Sequence, residues 1–172
     1  EFYVRHLRFG RTDHQVSAIA LGTWAHGGPK RVGKRPVGWS GHDDEKARQA
    51  LVRAFELGVT HWDTADVYGD GQAEELIGGV WDAVPRDRVF LASKVGWDAH
   101  GYPHAYDPRS IRERAERSLR NLRTDVLDLY YLHHCDFGRD DRYLEGAIKT
   151  LEELREAGKV RFLGLSDWSA RK

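Results

Sequence analysis

The feature that most narrows the fold is a repeated alternation between helical and strand-like hydrophobic periods. From Asp43 to Leu57, the residues Ala47, Leu51, Ala54 and Phe55 recur at helical spacing, and Gly58 stands where a C-terminal cap belongs. Val59–Ala65 reads as a short strand, Glu74–Trp81 as a helix carrying Leu76, Ile77 and Val80, and Arg88–Val95 as a strand. Asp107 before Pro108 is a helix start, a capping side chain ahead of a proline in the first turn. Ile111, Ala115, Leu119 and Leu122 mark one face of that helix, while Glu113–Arg117 and Glu116–Arg120 offer charge pairs four residues apart. Val126–Leu132 reads as a strand and Tyr143–Ala157 as a helix with Leu144, Ile148, Leu151 and Leu154 inward. Lys159–Leu165 is a last strand. Ahead of all this, Tyr3–Phe9 and Gln15–Leu21 read as a hairpin with a longer turn, and Ala25–His42 as a loop rich in Gly, Lys, Arg and Pro.

Strand and helix recurring about every 30 residues means parallel βαβ units. About five parallel strands are expected after the hairpin. Two architectures accept the pattern, an open doubly wound sheet and a (β/α)8 barrel of which only part is present. The open sheet usually carries a glycine-rich phosphate loop after its first strand. Here the nearest candidate, Gly69-Asp70-Gly71, follows the second strand and has Glu74 where the third glycine belongs, so that fingerprint is unsupported.

Composition excludes several function classes. The 27 basic and 27 acidic side chains cancel, which argues against a general nucleic-acid binder. No run approaches the ~18 unbroken apolar residues of a membrane span. One cysteine makes neither an internal disulfide nor a thiolate-rich zinc site, and with no basic-then-apolar leader visible, a reducing cytoplasmic setting is expected.

In a parallel α/β array the strand C-terminal ends share one face, where sites are built. Asp63, Tyr68, Lys94 and His133 all fall at or just beyond such ends. Their chemistry fits together. A phenol, with a pKa near 10, exchanges its proton poorly at neutral pH, and an adjacent ammonium is expected to lower that value. A carboxylate would hold the ammonium, and a histidine could polarise a carbonyl oxygen. Such a set suits protonation of an alkoxide as hydride arrives at carbon. The run His133-His134-Cys135-Asp136 is not read as a metal site, because successive strand residues point to opposite faces. No metal is expected.

The stretch Asp63-Thr64-Ala65-Asp66-Val67-Tyr68-Gly69 followed by Glu74-Glu75-Leu76-Ile77-Gly78 resembles the Asp-Tyr signature of the aldo-keto reductases. Ser93-Lys94 is similar to that family's lysine strand, Leu129–His133 to its histidine strand, and Gly22-Thr23-Trp24 to its first βα loop. The matches run in order from about Arg5 to Ser166, closest in tone to the bacterial aryl-alcohol-dehydrogenase and potassium-channel-β-like branch. The resemblance implies a (β/α)8 TIM barrel and NADPH-dependent reduction of aldehydes or ketones to alcohols. On matched positions, Tyr68 would be the general acid, Lys94 and Asp63 would tune it, and His133 would orient substrate, with Trp24 beside it. Gly22, Thr23, Asp63, Ser166 and Asp167 would meet NADP(H). Ser166 matches a residue that binds the nicotinamide carboxamide, and Asp167 replaces its usual Asn neighbour, so one donor is lost.

Such a barrel takes about 250 residues. The 172 present supply an N-terminal hairpin and about five strands with their helices, so residues 1–172 are expected to be the N-terminal portion of one barrel domain, with a C-terminal half missing or self-association in its place. The rival reading is a non-catalytic nucleotide-sensing or interaction module on the same barrel, or an inactive half-barrel fragment. The intact Asp63, Tyr68, Lys94, His133 set weighs against it.

Overall fold

A computed structural model of the chain describes residues 4–32 and 35–167. Tyr3, expected at the start of the hairpin, and Lys34 of the basic loop lie outside them. The chain opens with an antiparallel pair, β1 (His6–Arg8) and β2 (Gln15–Ser17), followed by β3 (Ala20–Gly22). A second antiparallel ribbon, β4 (Pro29–Val32) and β5 (Arg35–Gly38), precedes α1 (Asp44–Glu56). Then come β6 (His61–Asp63), α2 (Gln72–Gly78), β7 (Phe90–Val95), α3 (Pro108–Asn121), β8 (Leu127–Leu132), α4 (Leu144–Glu156) and β9 (Val160–Leu165). One parallel sheet runs in the order β3-β6-β7-β8-β9, so each strand lies beside the next one in the chain. Both parallel expectations, five strands and their intervening helices, are met.

The strand alternation divides two packed faces. Trp62, Leu91, Val95 and Tyr130 join Leu51, Leu76, Ile77, Ile111, Ala115 and Leu151 of the helices in the larger core, and so do Leu127 and Val160, which open β8 and β9. Phe90, Ala92 and Leu129 face the other way, with Val16 of the hairpin against them. The hairpin closes the N-terminal end of this inner face. The Phe9 ring lies 4.9 Å from Phe90, and His14 lies 5.0 Å from Phe162. Further up, Tyr131 lies across β9 at Gly164, where a Cβ would come within 2.4 Å of the ring.

Local chemistry explains where the elements begin and end. Asp43 caps α1 by accepting from Lys46 N at 3.0 Å, and Asp107 caps α3 by accepting from Arg109 N at 2.9 Å. Gly58 and Gly158 follow α1 and α4 with positive φ, as a C-terminal cap requires.

Three details differ from the sequence reading. The run Gln15–Leu21 is two strands. At its middle, Ser17 is buried and its hydroxyl donates to Ile19 O while accepting from Thr60 N and His61 N, which turns the chain out of the hairpin and into the sheet. The Ala25–His42 loop contains the β4–β5 ribbon. On α4 the inward residues are Ala147, Thr150, Leu151 and Leu154, while Ile148 is exposed. One residue past Ala147 is a rotation of about 100° on a helix, enough to carry Ile148 off the packed face.

The helix charges also reach further than local pairing suggests. Arg117 pairs with Asp70, and Lys159 pairs with Glu116. Among the described residues, no helix is long and apolar enough to cross a membrane, and no cluster of three or more His, Cys, Asp or Glu is placed to hold a metal ion.

Ser17 makes a direct test of how the hairpin is fastened. Ser17→Ala leaves the Thr60 and His61 amides without their acceptor, and equilibrium denaturation should register a loss of about 1–3 kcal/mol. An unchanged midpoint would mean that the rings alone hold the hairpin.

Candidate active site

Lys94 is the second-last residue of β7, and alternation turns its side chain to the inner face, away from Ser93 and Val95. It is 7% exposed, so its three N–H donors need partners inside the protein. They have them. Nζ lies 2.5 Å from Asp63 Oδ1, 2.9 Å from the Thr64 carbonyl oxygen and 3.4 Å from the Tyr68 hydroxyl. Asp63 ends β6 and points to the same face because its neighbour Trp62 is buried against the helices. Burial lowers the Lys94 pKa, and the charge and hydrogen bond of Asp63 oppose that shift.

Tyr68 stands just beyond β6 at the head of a tight turn. The expectation that the ammonium would depress its pKa fails. Burial, together with the negative charges of Asp63 and Asp66, raises it to about 12. The phenol is therefore held protonated, as a proton donor requires. Its ring lies 6.0 Å from that of His133, edge to face.

His133 follows β8 directly, its backbone N–H donating to Val95 O at 2.9 Å. Burial, and then the charges of Lys94 and His134, push its pKa down to about 4. The imidazole is thus neutral at physiological pH and keeps one N–H to donate and one lone pair to accept. Its Nδ1 is buried with no hydrogen-bond partner among the described residues.

A line of rings continues from this pair. Trp39 lies 5.7 Å from Trp24, Trp24 lies 6.4 Å from Tyr68, and Trp97 lies 5.3 Å from His133. All three indoles are about half-exposed. Trp24 is therefore a wall of the rim and not a core residue.

The other expected residues sit around the same rim. Gly22 ends β3 in register with Asp63, and a Cβ built on it would meet nothing within 4 Å. Thr23 is buried, and its hydroxyl and backbone N–H both donate to the Asp63 carbonyl, so its part is to fasten β3 to β6. Ser166 follows β9, its N–H donating to Leu132 O. The carboxylate of Asp167 accepts from Cys135 N at 2.7 Å and ties the end of β9 to the loop after β8.

Some of the positioning was not legible in advance. Gly27 and Gly69 meet backbone to backbone, where a Cβ on Gly69 would lie 2.2 Å from Gly27 O and one on Gly27 2.5 Å from Gly69 N. Glu74 is fully buried, accepting from Ser93 Oγ at 2.7 Å and Asn121 Nδ2 at 3.0 Å. Burial raises its pKa. Only the glycines themselves signalled the first contact, and the second joins residues far apart in the chain.

The chain is similar to known proteins over nearly all its length. The model of the "Aldo/keto reductase family" matches residues 18–172. Aldo-keto reductase YhdN of Bacillus subtilis is 36% identical over 162 residues, covering 92% of this chain and 45% of YhdN. The holo structure of aldo-keto reductase AKR11C1 from Bacillus halodurans superposes with a TM-score of 0.78 at 30% identity, over 96% of this chain and 51% of that one. An aldo-keto reductase from Klebsiella pneumoniae in complex with NADPH gives 0.72 at 34% identity, over 97% and 51%. The chain thus spans about half the length of the relatives it matches, and its five-stranded sheet with helices is a partial (β/α)8 barrel. Order of matches, strand topology and extent of identity together place the chain in the aldo/keto reductase family.

Proposed function

We propose that residues 1–172 are the N-terminal portion of a barrel domain and bear the proton-transfer side of an NADPH-dependent reductase, converting aldehydes or ketones to alcohols. One observation carries this reading: the buried Lys94 ammonium meets the Asp63 carboxylate and the Tyr68 hydroxyl at the rim where the strands end. A family relative solved with NADPH supports the choice of cofactor.

NADPH, when bound, supplies the hydride that reduces the carbonyl carbon. The residues present suit such a group. Gly22 leaves open space in register with Asp63, and Ser166 brings a hydroxyl to the end of β9. Thr23 contributes by fixing that part of the rim. Asp167, as a carboxylate already accepting from Cys135 N, adds no donor toward a carboxamide.

The protein's own work is on the oxygen. The neutral His133 ring donates its N–H to the carbonyl oxygen and sets its position over Tyr68. As negative charge grows there, Tyr68 releases its proton to it. A phenol held at about 12 still gives its proton to an alkoxide, whose conjugate acid is weaker by several units. Lys94, braced by Asp63, stabilises the phenolate left behind. In the sum, C=O gains a hydride at carbon and a proton at oxygen.

The ring line points to substrates that are flat and apolar beside the carbonyl, since aromatic pairs add about 0.5–1.5 kcal/mol beyond their buried area.

Three outcomes are expected of the intact protein. Tyr68→Phe should lower carbonyl-dependent NADPH oxidation by at least ~10²-fold while leaving the fold intact; wild-type turnover by that variant would end the proposed role. Trp24→Ala should lower kcat/KM about 2- to 10-fold more for aromatic aldehydes than for aliphatic ones of similar size, and an equal loss on both would remove the aromatic preference. Imidazole NMR should find His133 neutral down to about pH 4, and Lys94→Met should move its titration upward, because a cation no longer opposes the imidazolium. In the folded state this ring resists a proton that the unfolded chain accepts near its ordinary value of 6.5, so its contribution to stability is lost as pH falls from there toward about 4. A His133 that titrates near 6.5 in the folded protein would contradict the buried neutral ring.

A further inference from the structure

Tyr68 opens a turn of left-handed backbone. The three residues after it all have positive φ: Gly69 at 64°, Asp70 at 57° and Gly71 at 100°. Asp70 has a Cβ, and although Asp enters the left-handed region more readily than most residues, it still does so as an uncommon conformer. A turn of this kind persists when its surroundings over-determine it.

Helix α3 supplies those surroundings. Arg117 Nη1 donates to Asp70 Oδ1 at 3.0 Å, and its Nη2 donates to the Asp70 carbonyl oxygen. The guanidinium thus grips both the side chain and the main chain of the left-handed residue. One helical turn later, on the same face, Asn121 lies against Gly71, where a Cβ would come within 2.6 Å of its Nδ2. The same amide donates to Glu74, whose other oxygen accepts from Ser93, the neighbour of Lys94 in β7. On its opposite side the turn is backed by Gly27. The chain segments that carry Tyr68 and Lys94 are therefore both tied to α3 by hydrogen bonds, one at Asp70 and the other at Ser93 through Glu74.

We propose that Arg117, with Asn121 behind it, is a positioning residue that clamps the left-handed turn after Tyr68 and so holds the phenol hydroxyl in reach of Lys94. The catalytic part of this inference rests on the carbonyl-reductase reading, but the clamp itself does not.

The experiment has two readouts on the intact protein, for Arg117→Ala, Arg117→Lys and Asp70→Asn. The last keeps a residue type that tolerates positive φ while removing the charge. Peptide-level amide hydrogen exchange should accelerate at residues 68–71 in Arg117→Ala and Asp70→Asn, and stay unchanged at residues 144–156. Steady-state kinetics on an aromatic aldehyde should show kcat lowered about 10- to 100-fold in Arg117→Ala, as expected for a misplaced catalytic group. KM for NADPH should stay within about twofold, and Arg117→Lys should recover part of the loss. Unchanged exchange at residues 68–71 overturns the clamp. Faster exchange with kcat unaltered, after correction for the folded fraction, makes Arg117 a structural residue only and overturns its positioning role. If the wild-type protein reduces no aldehyde, the proposed function fails, and the exchange data alone decide the clamp.

Discussion

Everything at the rim depends on one buried ammonium. Lys94 sits almost out of water, and burial by itself favours the uncharged amine. Asp63, the Thr64 carbonyl and the Tyr68 hydroxyl together give its donors somewhere to point. That requirement explains the layout. Asp63 must end β6, Lys94 must face inward from β7, and the chain after β6 must double back to bring a phenol over both. Removing Asp63 would leave the buried ammonium without its counter-charge, a larger penalty than losing an exposed pair.

The same burial that threatens the lysine prepares its neighbours. It holds the Tyr68 phenol in its protonated form and the His133 imidazole in its neutral form. The adjacent Lys94 cation alone would lower the Tyr68 pKa. Desolvation of the phenol and the nearby carboxylates of Asp63 and Asp66 outweigh that charge, and neither is visible before the chain is folded.

Much of the architecture was legible because it is written in short-range periodicity. Helical spacing from Ala47 to Phe55 and from Ile111 to Leu122, capping residues Asp43 and Asp107, and the glycines after α1 and α4 each determine their own neighbourhood. The four rim residues were legible because parallel strands place their C-terminal ends together. What escaped was decided by contacts between distant segments. Ser17 breaks an apparently continuous strand because Thr60 and His61 need an acceptor. Ile148 misses the core because α4 is rotated to bury Ala147 and Thr150. Thr23 links β3 to the Asp63 carbonyl, and Asp167 links the end of β9 to Cys135 N after β8.

The N-terminal hairpin makes the two ends of the sheet unlike. Phe9, His14, Phe90 and Phe162 fill the strand ends opposite the rim with interlocking rings. Along the described strands, one end of the inner face is thus packed with rings, and the other holds Lys94 and Tyr68 beside half-exposed indoles.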